Sequence, residues 1–65
     1  MNLTSKQYAE LMPEHNGGEW VVLTDVNHGT ERHIILENER WMLALIIDRP
    51  TGLLLDTVWN MKGDA

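Results

Sequence analysis

Three histidines, His15, His28 and His33, with Asp25 and Glu31 close to the last two, are the residues of this chain whose types suit metal chemistry. A zinc site needs ligands that converge on one point at characteristic intervals, and thiolates supply many such sites. The chain has no cysteine, and its histidine intervals match no zinc signature. An extended chain also turns Asp25 and His33 to opposite faces of a sheet. His28 therefore reads as a turn residue and His33 as a half-buried strand residue, with no metal ligand and no cofactor expected. Asp25-Val26-Asn27-His28-Gly29-Thr30-Glu31 opens like a calcium loop, but Leu36 stands at the twelfth place, where such a loop needs glutamate. A hairpin turn is the better reading.

Nucleophilic catalysis needs an activated hydroxyl or thiol beside a base. Ser5 is the only serine, it falls where a helix would be capped, and no base lies near it in sequence. Glu37 and Glu39 flank a turn and suit solvent better than acid–base work. A chain of 65 residues also has little room for both a pocket and the core that supports it. No catalytic residue is expected.

The elements that position these side chains are legible from period and punctuation. Thr4 to Met12 reads as one short helix, capped by Thr4 or Ser5, with Leu3, Tyr8, Leu11 and Met12 on one face and Pro13 as its stop. A linker follows over 13–18, rich in polar residues and glycine. From Glu19 the residues favour strands: Trp20-Val21-Val22-Leu23-Thr24, then His33-Ile34-Ile35-Leu36, Trp41 to Ile47, and Leu53 to Met61, leaving a tail over 62–65.

Tight turns at His28-Gly29 and Asn38-Glu39 would oppose Asp25 to Arg32 and Glu37 to Arg40, pairing opposite charges. Pro50-Thr51 at the centre of a third turn sets Ile46 beside Leu55 and Met42 beside Trp59. The expected fold is α+β and mostly β: a short N-terminal helix packed on a four-stranded antiparallel meander, completed by dimerisation. A helix over Glu39–Asp48, capped by Asn38, is the competing reading of the most apolar stretch, because a short apolar run carries no decisive period.

In that register one face carries Trp20, Val22, Ile35, Met42, Ala44, Ile46, Leu53, Leu55 and Trp59. The other carries Val21, Leu23, Ile34, Leu36, Trp41, Leu43, Leu45, Ile47, Leu54 and Val58. Neither is polar, whereas an antiparallel sheet with one wet side alternates. A chain this short buries only ~60% of the surface it exposes when unfolded, and one short helix covers one face. The second face is expected to meet a second copy of the chain or another protein, through Trp41, Leu43, Leu45 and Ile47 with Arg40 and Arg49 at the rim. The tryptophans Trp20 and Trp59 suit the core, and Trp41 suits core and interface equally.

Ten acidic and five basic residues give a net charge of −5, which argues against binding a phosphate backbone. The longest apolar run, Trp41 to Ile47, is too short to span a membrane. With no apolar leader segment at Met1 and no cysteine, a cytoplasmic protein is expected.

Leu3-Thr4-Ser5-Lys6-Gln7-Tyr8-Ala9-Glu10-Leu11-Met12 resembles the first helix of excisionase-type and related helix-turn-helix DNA-binding domains. The resemblance covers these ten residues. It implies a second helix that enters the DNA groove, whereas here Pro13, Gly17 and Gly18 lead into a strand, and no basic residue follows Lys6 until Arg32. The part that reads DNA has no counterpart.

The sequence thus points to a small non-enzymatic binding protein: an accessory, assembly or inhibitory factor acting on another protein through an apolar sheet face. The alternatives are a small nucleic-acid-associated regulator, or an acidic mimic of nucleic acid built on Glu10, Glu14, Glu19, Glu31, Glu37, Glu39, Asp48 and Asp56.

Overall fold

The computed structural model describes residues 3–11 and 17–62. Met12, the Pro13 stop, the linker from Pro13 to Asn16 with His15, and the tail beyond Lys62 lie outside the described residues. One helix, α1 (Ser5–Glu10), precedes four strands: β1 (Val21–His28), β2 (Glu31–Glu37), β3 (Trp41–Asp48) and β4 (Leu54–Met61). The strands form one antiparallel sheet in the order β1-β2-β3-β4, as the meander reading requires.

Thr4 caps α1 through a reciprocal box. Its hydroxyl accepts from the Gln7 amide at 3.2 Å, and its own amide donates to Gln7 Oε1 at 2.8 Å, so two of the orphan donors at the helix start are satisfied. The helix buries Ser5, Tyr8 and Ala9, an i, i+3, i+4 face, and leaves Leu11 63% exposed at the C-cap. Leu11 is therefore not on the core face that the apolar spacing suggested. The helix packs on β1 and β2.

The β1–β2 loop is Gly29-Thr30, with His28 opposite Glu31. Gly29 alone has a positive φ there, 60°, as the first central residue of a type II′ hairpin turn requires. That requirement moves the loop one residue beyond the expected His28-Gly29. Asp25 consequently faces Ile34 rather than Arg32, yet the ion pair forms diagonally, because Arg32 sits opposite Asn27 on the same face.

At the β2–β3 turn the loop is Glu39-Arg40 and Glu37 pairs with Met42, not Arg40. Asn38 shapes this turn. Its Oδ1 accepts from the amides of Arg40 and Trp41, at 2.9 and 2.8 Å, its own amide donates to the Trp41 carbonyl, and its carbonyl accepts from Lys62 Nζ at 2.9 Å. The side chain thus takes the bond that the main-chain carbonyl would otherwise accept from Trp41. Residues 41–48 form a strand, which settles the choice between strand and helix for the apolar stretch.

Both edge strands carry a bulge. The β1–β2 register shifts between Val22 and Thr24, and the β3–β4 register shifts at Ile46/Ile47, leaving Leu23 and Leu55 outside the ladders at 46% and 54% exposure. An extra residue reverses every side chain beyond it. The expected face assignment is corrected accordingly. Trp20, Val22 and Trp59 join the core face, while Val21 and Val58 turn to the outer face. The inner face is built from the cross-strand row Val22–Leu36–Leu43–Trp59 and its neighbours Ile34, Leu45 and Ile47.

Ile34, Leu36, Leu43, Leu45 and Ile47 are the fully buried side chains beneath Tyr8 and Ala9. Where the helix does not reach, the tryptophans close the core. Trp59 lies with ring centroids 5.9 Å from Trp20 and 5.8 Å from Trp41, the latter edge-on, an arrangement favoured by the ring quadrupoles.

Candidate functional site

Among the described residues, His28 and His33 do not converge with Asp25. His28 and His33 lie on the outer face with ring centroids 4.7 Å apart, so His28 stacks on its neighbour rather than standing at a loop tip. Glu31 Oε1 is 3.0 Å from His33 Nε2. Asp25 sits on the opposite, inner face beside Ile34. Among the described residues no group of three or more His, Cys, Asp or Glu is placed to hold a metal ion.

Ser5 is buried within α1, under the turn capped by Thr4. Glu37 is engaged by Lys62 Nζ at 2.9 Å, while Glu39 is exposed. The two carboxylates flanking the turn therefore have unlike surroundings.

An open cleft of about 400 Å³ lies on the inner side near the β1–β2 turn, lined by Asp25, Asn27, Arg32 and Arg49. Arg32 is occupied within it. Nε and Nη2 donate to the two Asp25 oxygens at 2.8 and 2.6 Å, and Nη1 donates to the Leu3 carbonyl at 2.9 Å. This bidentate bond holds the Asp25 carboxyl below its ordinary value, against the opposing effect of its partial burial. Arg49 Nη1 donates to the Gly29 carbonyl at 2.7 Å, and its amide donates to the Thr30 carbonyl. These guanidinium groups tie chain segments together. Arg32 fixes the entry to α1, and Arg49 joins the two turns at this end of the sheet.

The residues expected at an interface are divided by the fold. Leu43, Leu45 and Ile47 are buried inside the single chain, beneath α1 and the flanking side chains. Trp41 is half-buried against Trp59, and Arg40 and Arg49 are exposed at opposite ends of β3. The face those residues line is the one the helix covers.

The other face is open. Across the sheet it presents the rows Val21–Glu37–Met42–Asn60, Thr24–Ile35–Ala44–Val58 and Val26–His33–Ile46–Asp56. Val21, Val26, Ile35 and Val58 are exposed, and Met42, Ala44 and Ile46 lie half-buried between them. No helix or strand of the described residues lies over this face. Glu31, Asp48 and Asp56 stand at its margin. Alternating apolar positions on β2 and β3 placed Ile35, Met42, Ala44 and Ile46 together from the sequence. Val21 and Val58 were missed because only the bulges bring them there.

No helix among the described residues is long and apolar enough to cross a membrane. Comparison of the chain with protein-family models, with curated proteins and with solved structures finds no match.

Proposed function

We propose that this chain is a non-enzymatic binding protein whose outer sheet face receives another protein, in the manner of an accessory, assembly or inhibitory factor. The observation that carries this reading is the uncovered patch of Val21, Val26, Ile35 and Val58, continuous through Met42, Ala44 and Ile46. Contiguous exposed apolar surface of this kind marks interaction sites in soluble proteins. Covering each large apolar side chain is worth ~1.5 to 3 kcal/mol, so a partner that matches the patch gains most of its affinity there. The acidic margin of Glu31, Asp48 and Asp56 favours a partner with an apolar ridge flanked by cations.

The test is capture of binding partners from native lysate with wild type and with Ile35→Lys and Val58→Lys, identifying partners by crosslinks to β2 and β4. The reading requires partners that are lost in both variants while thermal stability is retained. As a control, Leu43→Ala removes a buried side chain and lowers stability by ~2 to 5 kcal/mol without altering the patch. Partners that bind both lysine variants undiminished, or crosslink only elsewhere, would sink it.

A further inference from the structure

The charges of the strands are divided between the two faces of the sheet. Arg32 is the only lysine or arginine within the described strands, and it faces inward, where Asp25 balances it. The outer face holds Glu31, Glu37, Asp48 and Asp56. Glu37 is paired with Lys62 at one end of the strands. At the other end Glu31 stands directly opposite Asp48, and Asp56 stands opposite Ile46, two residues from Asp48. Like charges placed opposite one another across a ladder cost stability. Asp48 Oδ2 accepts from the Thr51 hydroxyl and amide, Asp56 Oδ1 accepts from the Thr57 amide, and Glu31 meets the His33 ring at 3.0 Å. None of these bonds comes from a lysine or arginine. Arg49 follows Asp48 in the chain, and three carboxylates against one guanidinium leave this end of the face negative.

We infer that the outer face receives an amphipathic helix of another protein, laid along the strands with its lysines or arginines over Glu31, Asp48 and Asp56. This rests on the reading that the face binds protein, and adds the form and direction of the occupant. The apolar rows between Val21 and Val26 cross four strands, about 14 Å in each direction at ~4.8 Å between strands and ~3.4 Å per residue. Three turns of helix, about 16 Å long and 10 Å wide, match that footprint. Backbone laid against aliphatic side chains has to satisfy its own N–H and C=O groups. A helix does so internally, whereas a lone strand or loop across the face leaves them unmade.

Charge sets the direction. The aliphatic middle is indifferent to which way the helix runs, but the Glu31 end is negative while Lys62 balances Glu37 at the other. A second copy of the chain is a poorer occupant, because its outer face brings the same carboxylates to the contact.

Two synthetic helical peptides with the same leucine stripe test it, one carrying lysines in its last turn and the other glutamines there. Both residues are good helix formers, so the peptides differ in charge alone. Nitrogen-15 NMR titration of the full chain at neutral pH gives the affinity and the amides that shift. The lysine peptide is expected to bind about fivefold or more tightly than the glutamine peptide, as two or three partly exposed pairs would supply. That preference is expected to vanish in the double variant Glu31→Gln, Asp56→Asn and to shrink at high salt. A spin label beside the lysines is expected to broaden the amides of Glu31, Asp48 and Asp56 and to spare those of Glu37 and Asn60. Circular dichroism checks that each variant keeps its strand content. No binding of the lysine peptide at millimolar concentration, equal binding of the two peptides, or broadening at the Glu37 end would each overturn the inference. Ile35→Lys separates this failure from that of the wider reading: equal binding that the variant abolishes removes the charge-directed helix and leaves the apolar face as a binding surface, whereas binding that the variant leaves intact removes both.

Discussion

The Tyr8 hydroxyl donates to the Gly52 carbonyl at 2.7 Å, tying the only described helix to the turn between β3 and β4. The tie spans the sheet, because α1 rests on β1 and β2. Gly52 reaches this position with φ of 77°, a conformation open to glycine, while its amide donates to the Asp48 carbonyl. The ring of Tyr8 is buried among the core aliphatics and its polar end meets a main-chain acceptor. One residue thus joins core packing to the geometry of a distant turn.

Tyr8→Phe keeps the ring and removes the donor. It is expected to lower stability by about 1 kcal/mol, which in a domain of this size lowers the midpoint of thermal unfolding by ~4 to 8 °C. Differential scanning calorimetry checks this, and amide exchange in residues 48–53 is expected to quicken with it. An unchanged midpoint would show that the hydroxyl bond contributes nothing beyond its exchange with water.

The Asp25–Arg32 pair makes stability depend on pH in a defined direction. The hydrogen bond from Arg32 lowers the Asp25 carboxyl from its ordinary value of 3.8 in the folded chain. A carboxyl lowered in the folded state contributes stability that is fully present above the unfolded value, and that contribution fades as pH falls through the folded value. Asp25→Asn is therefore expected to cost on the order of 1 kcal/mol at neutral pH, the upper part of the range for partly exposed pairs. Its difference from wild type should shrink toward zero in acid. Urea unfolding at neutral pH and well below the carboxylate range measures both limits.

Much of the fold could be read from the sequence, and what could not has a local physical cause. The Thr4 start and the four strands follow from capping chemistry and alternation, and all are present. Ile34, Leu36, Leu43, Leu45 and Ile47 share one face as alternation requires, but they are buried within the chain, where Leu43, Leu45 and Ile47 were expected at an interface. Turn residues proved less informative. Gly29 was placed second in its loop, although a type II′ turn takes glycine first, and the backbone bonding of Asn38 left Glu39 and Arg40 as the loop. The bulges at Leu23 and Leu55 have no signature in an unbroken apolar run, yet they decide which way Trp20, Val22 and Trp59 point. The open face was consequently sought on the Leu43 side, which the helix occupies, and lies on the Ile35 side.

Gly17 and Asn38 are coupled through close approach. A Cβ on Gly17 would lie 2.6 Å from Asn38 Oδ1, inside contact distance, and the Gly17 carbonyl accepts from the Glu39 amide at 2.8 Å. Asn38→Ala leaves the Arg40 and Trp41 amides without their side-chain acceptor in a turn where position 38 is only 4% exposed. It is expected to cost ~1 to 3 kcal/mol. Gly17→Ala is expected to be destabilising in the wild type and less so in the Asn38→Ala background, where the obstructing oxygen is gone and the contact of 3.0 Å with Arg40 Cβ remains. A double-mutant cycle by chemical denaturation measures that coupling, and additive costs would refute it.

The Leu23 bulge gives the sharpest separation between side-chain chemistry and register. Leu23 is 46% exposed outside the β1–β2 ladder, so Leu23→Thr keeps the residue count, introduces a β-branched side chain suited to extended backbone, and is expected to change stability by within ~0.5 kcal/mol. Deleting Leu23 closes the bulge without moving the pairing: Val22 becomes the neighbour of Thr24 and stays opposite Leu36, and Val21 stays opposite Glu37. Trp20 and Val22 keep the core face, and the contact between Trp20 and Trp59 is expected to survive. The deletion is therefore expected to cost about 1 kcal/mol, with Trp20 fluorescence unshifted. A red shift together with a loss of ~3 to 5 kcal/mol, the cost of truncating a buried tryptophan, would mean that Leu23 is not the extra residue of the β1–β2 ladder.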